Sequence, residues 1–199
     1  MTKIKICGLK RDCDIDFVNE ALPDYAGFVF AKSKRQVTKE QAKNLKERLD
    51  VRITAVGVFV DAPVEFVAEL ANENIIDMIQ LHGNEDKEYV IKLRQLTQAP
   101  VIKAFKAGTK TEEEMKEYPS DYDLIDSGKG SGKTFDWSLV PKTTKPWFLA
   151  GGISEDNVEE AIHCLHPYGV DFSSSVETDG YKDRDKILGI VRRIRNVKR

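Results

Sequence analysis

The sequence predicts an α/β fold, a single-domain (β/α)8 TIM barrel over residues 1–199. Three observations support it: short apolar runs recur at a steady interval, helical patterns separate most of them, and unusual polar residues follow them. A chain of 199 residues is long enough for one domain with a sizeable core. Successive runs begin about 24 residues apart. The eight predicted strands are 3–7, 25–30, 52–60, 75–81, 100–105, 122–126, 146–150 and 168–173.

Most of these runs are rich in Val, Ile and Phe and are apolar on both faces. That pattern is typical of parallel strands that are covered on both sides. After the third run, Val64, Val67 and Leu70 share one helical face, and similar faces follow the fourth and eighth runs. The eighth is followed by a predicted amphipathic helix whose basic last turns suit the negative end of the helix dipole.

Several helices carry start signals. Thr38 with Gln41 forms a capping-box pattern, and Ser154 stands ahead of two acidic residues where the seventh helix is expected to begin. The fifth helix, about 111–118, is short, and prolines leave little room for a sixth. Eight alternations allow a closed barrel or an open doubly wound sheet. The length is at the lower end for a barrel, and no Gly- or Ser-rich linker divides the chain.

Composition narrows the classes of function. A net charge of −2 with dispersed Lys and Arg gives no electrostatic footprint for nucleic acid. Three cysteines form no disulfide framework and suggest a reducing compartment. No apolar stretch approaches the length of a membrane span or a signal peptide. We therefore expect a cytoplasmic protein, a monomer or homodimer, with a small-molecule ligand and neither nucleic acid nor membrane as partner.

Polar residues collect after the strands, where the chemistry of barrels is located. This clustering is the main argument for a site and for the closed barrel. The residues in question are Cys7, Ser33, Arg35, Gln80, His82, Asp126, Gly151, Gly152, Asp171 and Ser173–Ser175.

The last two loops predict a phosphate site. Gly151 and Gly152, and Ser173, Ser174 and Ser175, are expected just before helices, where exposed backbone N–H groups and the helix dipole favour a dianion. The seventh and eighth loops are also the usual phosphate site of barrels. The plainer interpretation is that the two glycines only make a tight turn.

Two residues at strand ends are candidates for a functional role. Asp126 ends an apolar strand, where a carboxylate is unfavourable unless it is paired or functional, and glycines rather than a helix follow it. Cys7 lies beside Gly8 at a strand mouth, although buried cysteines often behave as small apolar residues. His82 remains open between a structural role and a ligand contact.

One motif argues for a different function. Residues 127–134 are one residue from a phosphate-binding Walker A loop, but the pattern needs glycine where Ser127 stands. Proline follows too soon for the helix such a loop requires. A nucleotide hydrolase is therefore disfavoured.

Together these segments resemble the phosphoribosylanthranilate isomerase family along the whole chain. One departure is Ser175, where the family usually has glycine, and it puts phosphate affinity in question. The matching segments, in order, are KICGL (5–9), GFVFAKSKR (27–35), VGVFV (56–60), QLHG (80–83), GSGKTFDW (130–137), AGGI (150–153) and VDFSSSVE (170–177).

The resemblance implies an Amadori rearrangement in tryptophan biosynthesis that uses an acid and a base and no cofactor or metal. Asp126 matches the general acid and Cys7 the general base. Arg35 is the expected cation, for the thiolate or for the anthranilate carboxylate, and His82 and Asp171 are possible substrate contacts. The phosphate-binding residues are expected to be Gly130, Ser131, Gly132, Gly151, Gly152, Ser173, Ser174 and Ser175.

Two alternatives stay open. Another sugar-phosphate isomerase or epimerase would share the phosphate loops but would be expected to use metal ligands or paired aspartates. A non-catalytic phosphate-ligand-binding barrel would have kept the scaffold without turnover, and Ser175 is the feature that favours it.

Overall fold

Eight parallel strands form a closed barrel in which each strand pairs with the next and β8 pairs with β1. The computed structural model describes residues 1–127, 140–141 and 143–197. The predicted (β/α)8 architecture is confirmed, and the open sheet is wrong. The strands are β1 Lys3–Cys7, β2 Tyr25–Val29, β3 Thr54–Phe59, β4 Met78–Leu81, β5 Val101–Lys106, β6 Tyr122–Asp126, β7 Trp147–Ala150 and β8 Gly169–Phe172.

Helices cover the outside of the barrel. Their apolar faces pack on the strands: Ile187, Ile190 and Ile194 of α7 are all buried. A short antiparallel hairpin of β9 Glu177–Thr178 and β10 Tyr181–Lys182 follows β8. The helices are α1 Asp12–Ala21, α2 Lys39–Arg48, α3 Val64–Asn72, α4 Lys87–Leu96, α5 Glu112–Lys116, α6 Val158–Leu165 and α7 Arg184–Asn196.

Residue alternation along the strands separates two packing layers. In β1, Ile4 and Ile6 join the large core between strands and helices, whereas Lys5 and Cys7 occupy the other face, inside the barrel. Aromatic rings fill the interior toward the amino ends of the strands, with Tyr25 edge-on to Phe148 at 5.3 Å between centroids. That end is filled, so a ligand must enter at the carboxyl ends.

Two helix-start predictions have different outcomes. Thr38 forms the predicted capping box with Gln41, each side chain accepting from the other residue's backbone N–H. Ser154 does not start α6, and this prediction is wrong. Its Oγ accepts from the N–H of Asp156 at 3.3 Å in a local turn, and the helix begins only at Val158, after Asn157.

The final helix ends in Arg193 and Arg195, as the sequence predicts. Arg195 donates to Asp24 at 2.8 Å, which joins the end of α7 to the start of β2. Among the helices that the structure describes, none is both long and apolar enough to cross a membrane.

Candidate active site

A cleft of about 740 Å³ lies at the carboxyl ends of β1, β2, β4, β6, β7 and β8. It brings together every predicted site residue that the structure describes. Gly130, Ser131 and Gly132, together with most of the Walker-like string, lie outside the described residues. The predicted site residues that line the cleft are Cys7, Arg35, His82, Asp126, Gly151, Gly152, Asp171 and Ser173–Ser175.

Cys7 ends β1 with only 7% of the residue exposed. Its neighbour across the β1–β2 pairing is Gly27. A Cβ at Gly27 would lie 2.7 Å from Cys7 Sγ and 3.0 Å from Cys7 Cα, closer than atoms can approach. The absence of a side chain at Gly27 therefore fixes where the sulfur sits.

Gly27→Ala should displace Cys7 and lower the kcat of any reaction that depends on its thiol by at least about tenfold, since a reacting group moved by an ångström loses much of its effect. The matched control is Gly57→Ala, where the added Cβ would meet Ile76 at 2.6 Å on the outer side of β3. Overpacking should lower stability in both variants by about 1–3 kcal/mol. Steady-state kinetics and thermal unfolding separate the two effects, and equal kcat values in the two variants would contradict the prediction.

The charged groups around Cys7 have opposite effects on the pKa of its thiol. Burial raises the pKa of the Cys7 thiol above its ordinary value; Lys5 and Lys182 act in the opposite direction, whereas Asp171 adds to the increase. The sequence pointed to Arg35 as the cation. In the structure Lys5 and Lys182 have the largest opposing effects on the pKa of the thiol, and Arg35, which also interacts with Cys7, is paired with a carboxylate.

That carboxylate is Glu177. Arg35 Nε and Nη2 donate to its two oxygens at 2.6 and 2.7 Å in a bidentate pair. Gly8, with φ of +87°, leaves the space for this arginine, since a Cβ there would lie 2.4 Å from Arg35 Cδ. Arg35 is thus a fixed cation at the wall of the cleft.

Lys182 completes this group from the β9–β10 hairpin. Its Nζ donates to Glu177 Oε1 at 2.7 Å and to the backbone oxygen of Ser173 at 2.9 Å. Burial would raise the pKa of Glu177, but the hydrogen bonds from Arg35 and Lys182 outweigh it and lower the pKa to about 2. Glu177 is therefore ionised and binds Arg35 and Lys182 beside the eighth loop, with Lys34 Nζ at 3.6 Å from its Oε2.

His82 stands next to Asp126. Its Nε2 lies 3.4 Å from Asp126 Oδ2, and both side chains are about one-third exposed. On the other side of the ring, Gln80 Nε2 lies 3.0 Å from His82 Nδ1. With the amide donating to Nδ1, the proton of a neutral imidazole is on Nε2 and faces the carboxylate. Gln80 Oε1 is buried and has no hydrogen-bond partner within the described part of the chain.

The seventh loop is longer than the sequence suggests. Gly151 and Gly152 have φ of +77° and +63°, values that favour glycine. Because α6 begins at Val158, the expectation that these glycines directly precede a helix is wrong. Ser127 Oγ donates to the backbone oxygen of Gly151 at 2.6 Å and joins the sixth loop to the seventh.

The eighth loop forms one 3₁₀ turn over Ser174–Val176, preceded by Ser173. Ser174 and Ser175 are exposed toward the cleft. Ser175 is not among the described residues with positive φ. A serine therefore fits this backbone without left-handed strain, which removes the conformational argument against phosphate binding.

A second cleft of about 830 Å³ opens between the ends of β4 and β5 and shares Val60, His82 and Asp126 with the first. Lys103 lies at its base, donating to Glu85 and to the backbone oxygen of Gly83, both at 2.7 Å. His82 and Asp126 are therefore central in the barrel mouth. An elongated ligand can extend past them from the serine loop.

Three charged side chains of the site escaped the sequence analysis, namely Lys5, Glu177 and Lys182, and Gln80 was placed in the polar cluster without a role of its own. Lys5 had a usable signal, since a lysine two residues before Cys7 in an apolar strand shares its face. Glu177 ends the segment 170–177 that carries the family resemblance, whereas Lys182 lies outside every segment that the sequence analysis singles out. No group of three His, Cys, Asp or Glu side chains suited to a metal ion occurs within the described ranges.

Comparison with known proteins adds independent information. The model of the family "N-(5'phosphoribosyl)anthranilate (PRA) isomerase" matches residues 4–193. An N-(5'-phosphoribosyl)anthranilate isomerase of Endomicrobium trichonymphae is 44% identical over 202 residues, which cover 99% of this chain and 100% of that protein.

Solved structures agree with the sequence comparison. The crystal structure of a phosphoribosyl anthranilate isomerase from Thermus thermophilus has a TM-score of 0.86 and 32% identity, covering 99% of this chain and 100% of its own. Another member was solved in complex with reduced 1-(o-carboxyphenylamino)-1-deoxyribulose 5-phosphate. It has a TM-score of 0.80 and 32% identity, covering 98% of this chain and 99% of its own.

Proposed function

The chain belongs to the phosphoribosylanthranilate isomerase family, and from that premise we propose that it converts N-(5-phosphoribosyl)anthranilate to 1-(2-carboxyphenylamino)-1-deoxyribulose 5-phosphate in tryptophan biosynthesis. The observation that carries the proposal is one cleft lined by a thiol, a carboxyl group, a fixed arginine and two small-residue loops. A substrate with a phosphate at one end and a carboxylate at the other matches this distribution of groups. All of these residues come from one chain, so the proposal holds for a monomer or a homodimer.

In the first step, Asp126 acts as general acid. Its carboxyl proton goes to the furanose ring oxygen, the bond from that oxygen to C1′ breaks, and the nitrogen lone pair forms the C1′=N bond of a Schiff base. The neighbouring His82 Nε2, 3.4 Å from Asp126 Oδ2, is placed to hydrogen-bond the carboxylate that remains.

In the second step, Cys7 acts as general base. The thiolate takes the proton from C2′, and the electron pair forms the C1′=C2′ bond while the protonated nitrogen becomes an amine. The resulting enolamine tautomerises to the ketone. Both steps move only protons and electron pairs within the substrate, so they require no redox group.

The remaining roles follow from position. Gly151, Gly152, Ser173, Ser174 and Ser175 would bind the phosphate, and Arg35 the anthranilate carboxylate. Arg35 uses Nε and Nη2 for Glu177, which leaves Nη1 to a ligand. Asp171 lines the cleft while bound to Lys5, and a carboxylate has further lone pairs for a sugar hydroxyl.

Arg35→Ala should raise KM about 10- to 100-fold with a smaller effect on kcat, because a hydrogen bond to a charged group contributes about 1.5–3 kcal/mol. The variant also leaves Glu177 facing the site without its arginine. The double variant Arg35→Ala/Glu177→Gln removes that repulsion and is the control. An unchanged KM in both variants would remove Arg35 from substrate binding.

The direct test of the function follows the fluorescence of freshly generated phosphoribosylanthranilate. We expect its consumption by the purified protein to depend on Cys7. A well-folded protein that binds the substrate without consuming it would contradict the proposal and favour the non-catalytic barrel.

A further inference from the structure

Beneath Cys7, the barrel interior contains an ion pair that the proposed steps do not use. Lys5 is 0% exposed, and its Nζ donates to both oxygens of Asp171 at 3.0 Å. The two residues are directly opposite each other in the pairing of β1 with β8. Lys5 is two residues before Cys7 on the same strand, so both side chains point into the barrel.

Stability alone gives little reason for this pair. Removing an ammonium and a carboxylate from water costs several kcal/mol each, and apolar residues of the same volume are often as stabilising. Phe148 and Met78 fill other interior positions of the same barrel without charge. A role in the chemistry at Cys7 explains why a charge occupies this layer.

The charge of the ammonium also acts on the thiol of Cys7. Burial would lower the pKa of Lys5, but the negative charges of Asp171 and Cys7, and the hydrogen bonds that the ammonium donates to them, outweigh burial and raise the pKa. Around Cys7 itself, Lys5 is the cation with the largest effect. The other charged or titratable groups that face the thiol are Lys182 from β10, Asp171 from β8, Arg35 from the loop after β2, His82 after β4 and Asp126 from β6.

We propose that Lys5 is a positioning residue for the base: held in place by Asp171, its ammonium stabilises the negative charge on Cys7 Sγ. Asp171 has two effects in this arrangement. It keeps Lys5 charged inside the barrel, and it weakens the attraction that Lys5 exerts on the thiolate. The inference rests on the proposed role of Cys7, but it concerns the acidity of the thiol and can be tested without substrate.

The test measures the ionisation of Cys7 by the ultraviolet absorbance of the thiolate as a function of pH, and by the rate of alkylation with iodoacetamide. Cys13 and Cys164 are replaced by alanine so that one thiol remains, and a Cys7→Ser sample gives the background. In Lys5→Met the titration should move to higher pH, and alkylation at neutral pH should fall about tenfold. In Asp171→Asn the Cys7 thiolate remains as the anion that keeps Lys5 charged, and the opposing charge of Asp171 is gone, so the titration should move to lower pH.

Shifts of opposite sign distinguish an effect of charge from an effect of packing. Two variants that only loosen the barrel would move the titration of the thiol in the same direction. Lys5→Met leaves Asp171 buried without its cation and can unfold the barrel. The double variant Lys5→Met/Asp171→Asn is neutral and similar in volume. There the titration should lie above the wild-type value but below that of Lys5→Met, since Lys5 affects the thiol more than Asp171 does.

An unshifted titration in the folded double variant together with no downward shift in Asp171→Asn would overturn the proposal. Turnover is measured separately in the same proteins. A shifted thiol in a protein that never consumes phosphoribosylanthranilate would support Lys5 and contradict the function. Turnover by a protein in which the titration of Cys7 is unshifted would support the function and contradict the role of Lys5.

Discussion

Cys7→Ser is expected to lower kcat about 10²- to 10⁴-fold while the barrel remains folded. A hydroxyl is far less acidic than a thiol, so it cannot supply the anion that removes the C2′ proton at neutral pH, and positioned general bases contribute about this much. The change is nearly isosteric, and Cys7 sits among atoms that leave little room, with Gly27 on one side. Substrate binding should therefore change little.

The measurement is kcat and KM from the fluorescence assay, with thermal unfolding to confirm the fold. Cys164→Ser is the matched control, because Cys164 is exposed on α6, away from the cleft. Since burial raises the pKa of Cys7 and only the anion is a base, wild-type kcat/KM should rise with pH through that pKa. Wild-type turnover by Cys7→Ser would exclude Cys7 as the base.

Asp126→Asn is expected to lower kcat about 10²- to 10⁴-fold, since an amide has the shape of the carboxyl group but no acidic proton for the ring oxygen. The side chain is about one-third exposed and its neighbour His82 can hydrogen-bond an amide oxygen, so the fold should be retained. Asp16→Asn, at an exposed position on α1 beside Arg48, is the control.

A general acid works only while it is protonated, so wild-type activity should fall at high pH as Asp126 loses its proton. In Asp126→Asn this fall should disappear. His82→Gln should reduce kcat by a smaller factor, because the imidazole supports the carboxylate without transferring the proton. Equal losses in the two variants would instead point to His82 as the acid.

The fold could be predicted because it rests on a periodic property. Strand β1 covers the predicted residues Lys3–Cys7, as β6 covers Tyr122–Asp126, and the other strands differ from the prediction by one to three residues at an end. The failure at Ser154 has a different origin. Whether a serine caps a helix depends on the turn that follows, and here Asn157 moves the start to Val158.

The site could be predicted only in part. Cys7 and Asp126 could be predicted as cleft residues because the functional residues of barrels lie at the carboxyl ends of strands, and both residues end a strand. Lys5 was passed over because its partner, Asp171, is 166 residues away in sequence. For Arg35 the sequence leaves two anions open, the thiolate and the anthranilate carboxylate, and it does not show the pairing with Glu177, 142 residues further along the chain. Pairings of this kind appear only once the barrel has closed.

The closure of β1 against β8 has a consequence for how the protein is made. The strand that carries Cys7 leaves the ribosome first, whereas the strand that carries Asp171 is among the last, and the hairpin with Lys182 follows it. A nascent chain therefore exposes an ordinary cysteine with the reactivity of a free thiol. Its electrostatic surroundings are assembled only at the end of synthesis, when the last strand inserts between β7 and β1. In a chain that ends before β8, β1 and β7 would each lack a neighbouring strand, and Cys7 would be without Asp171 and Lys182.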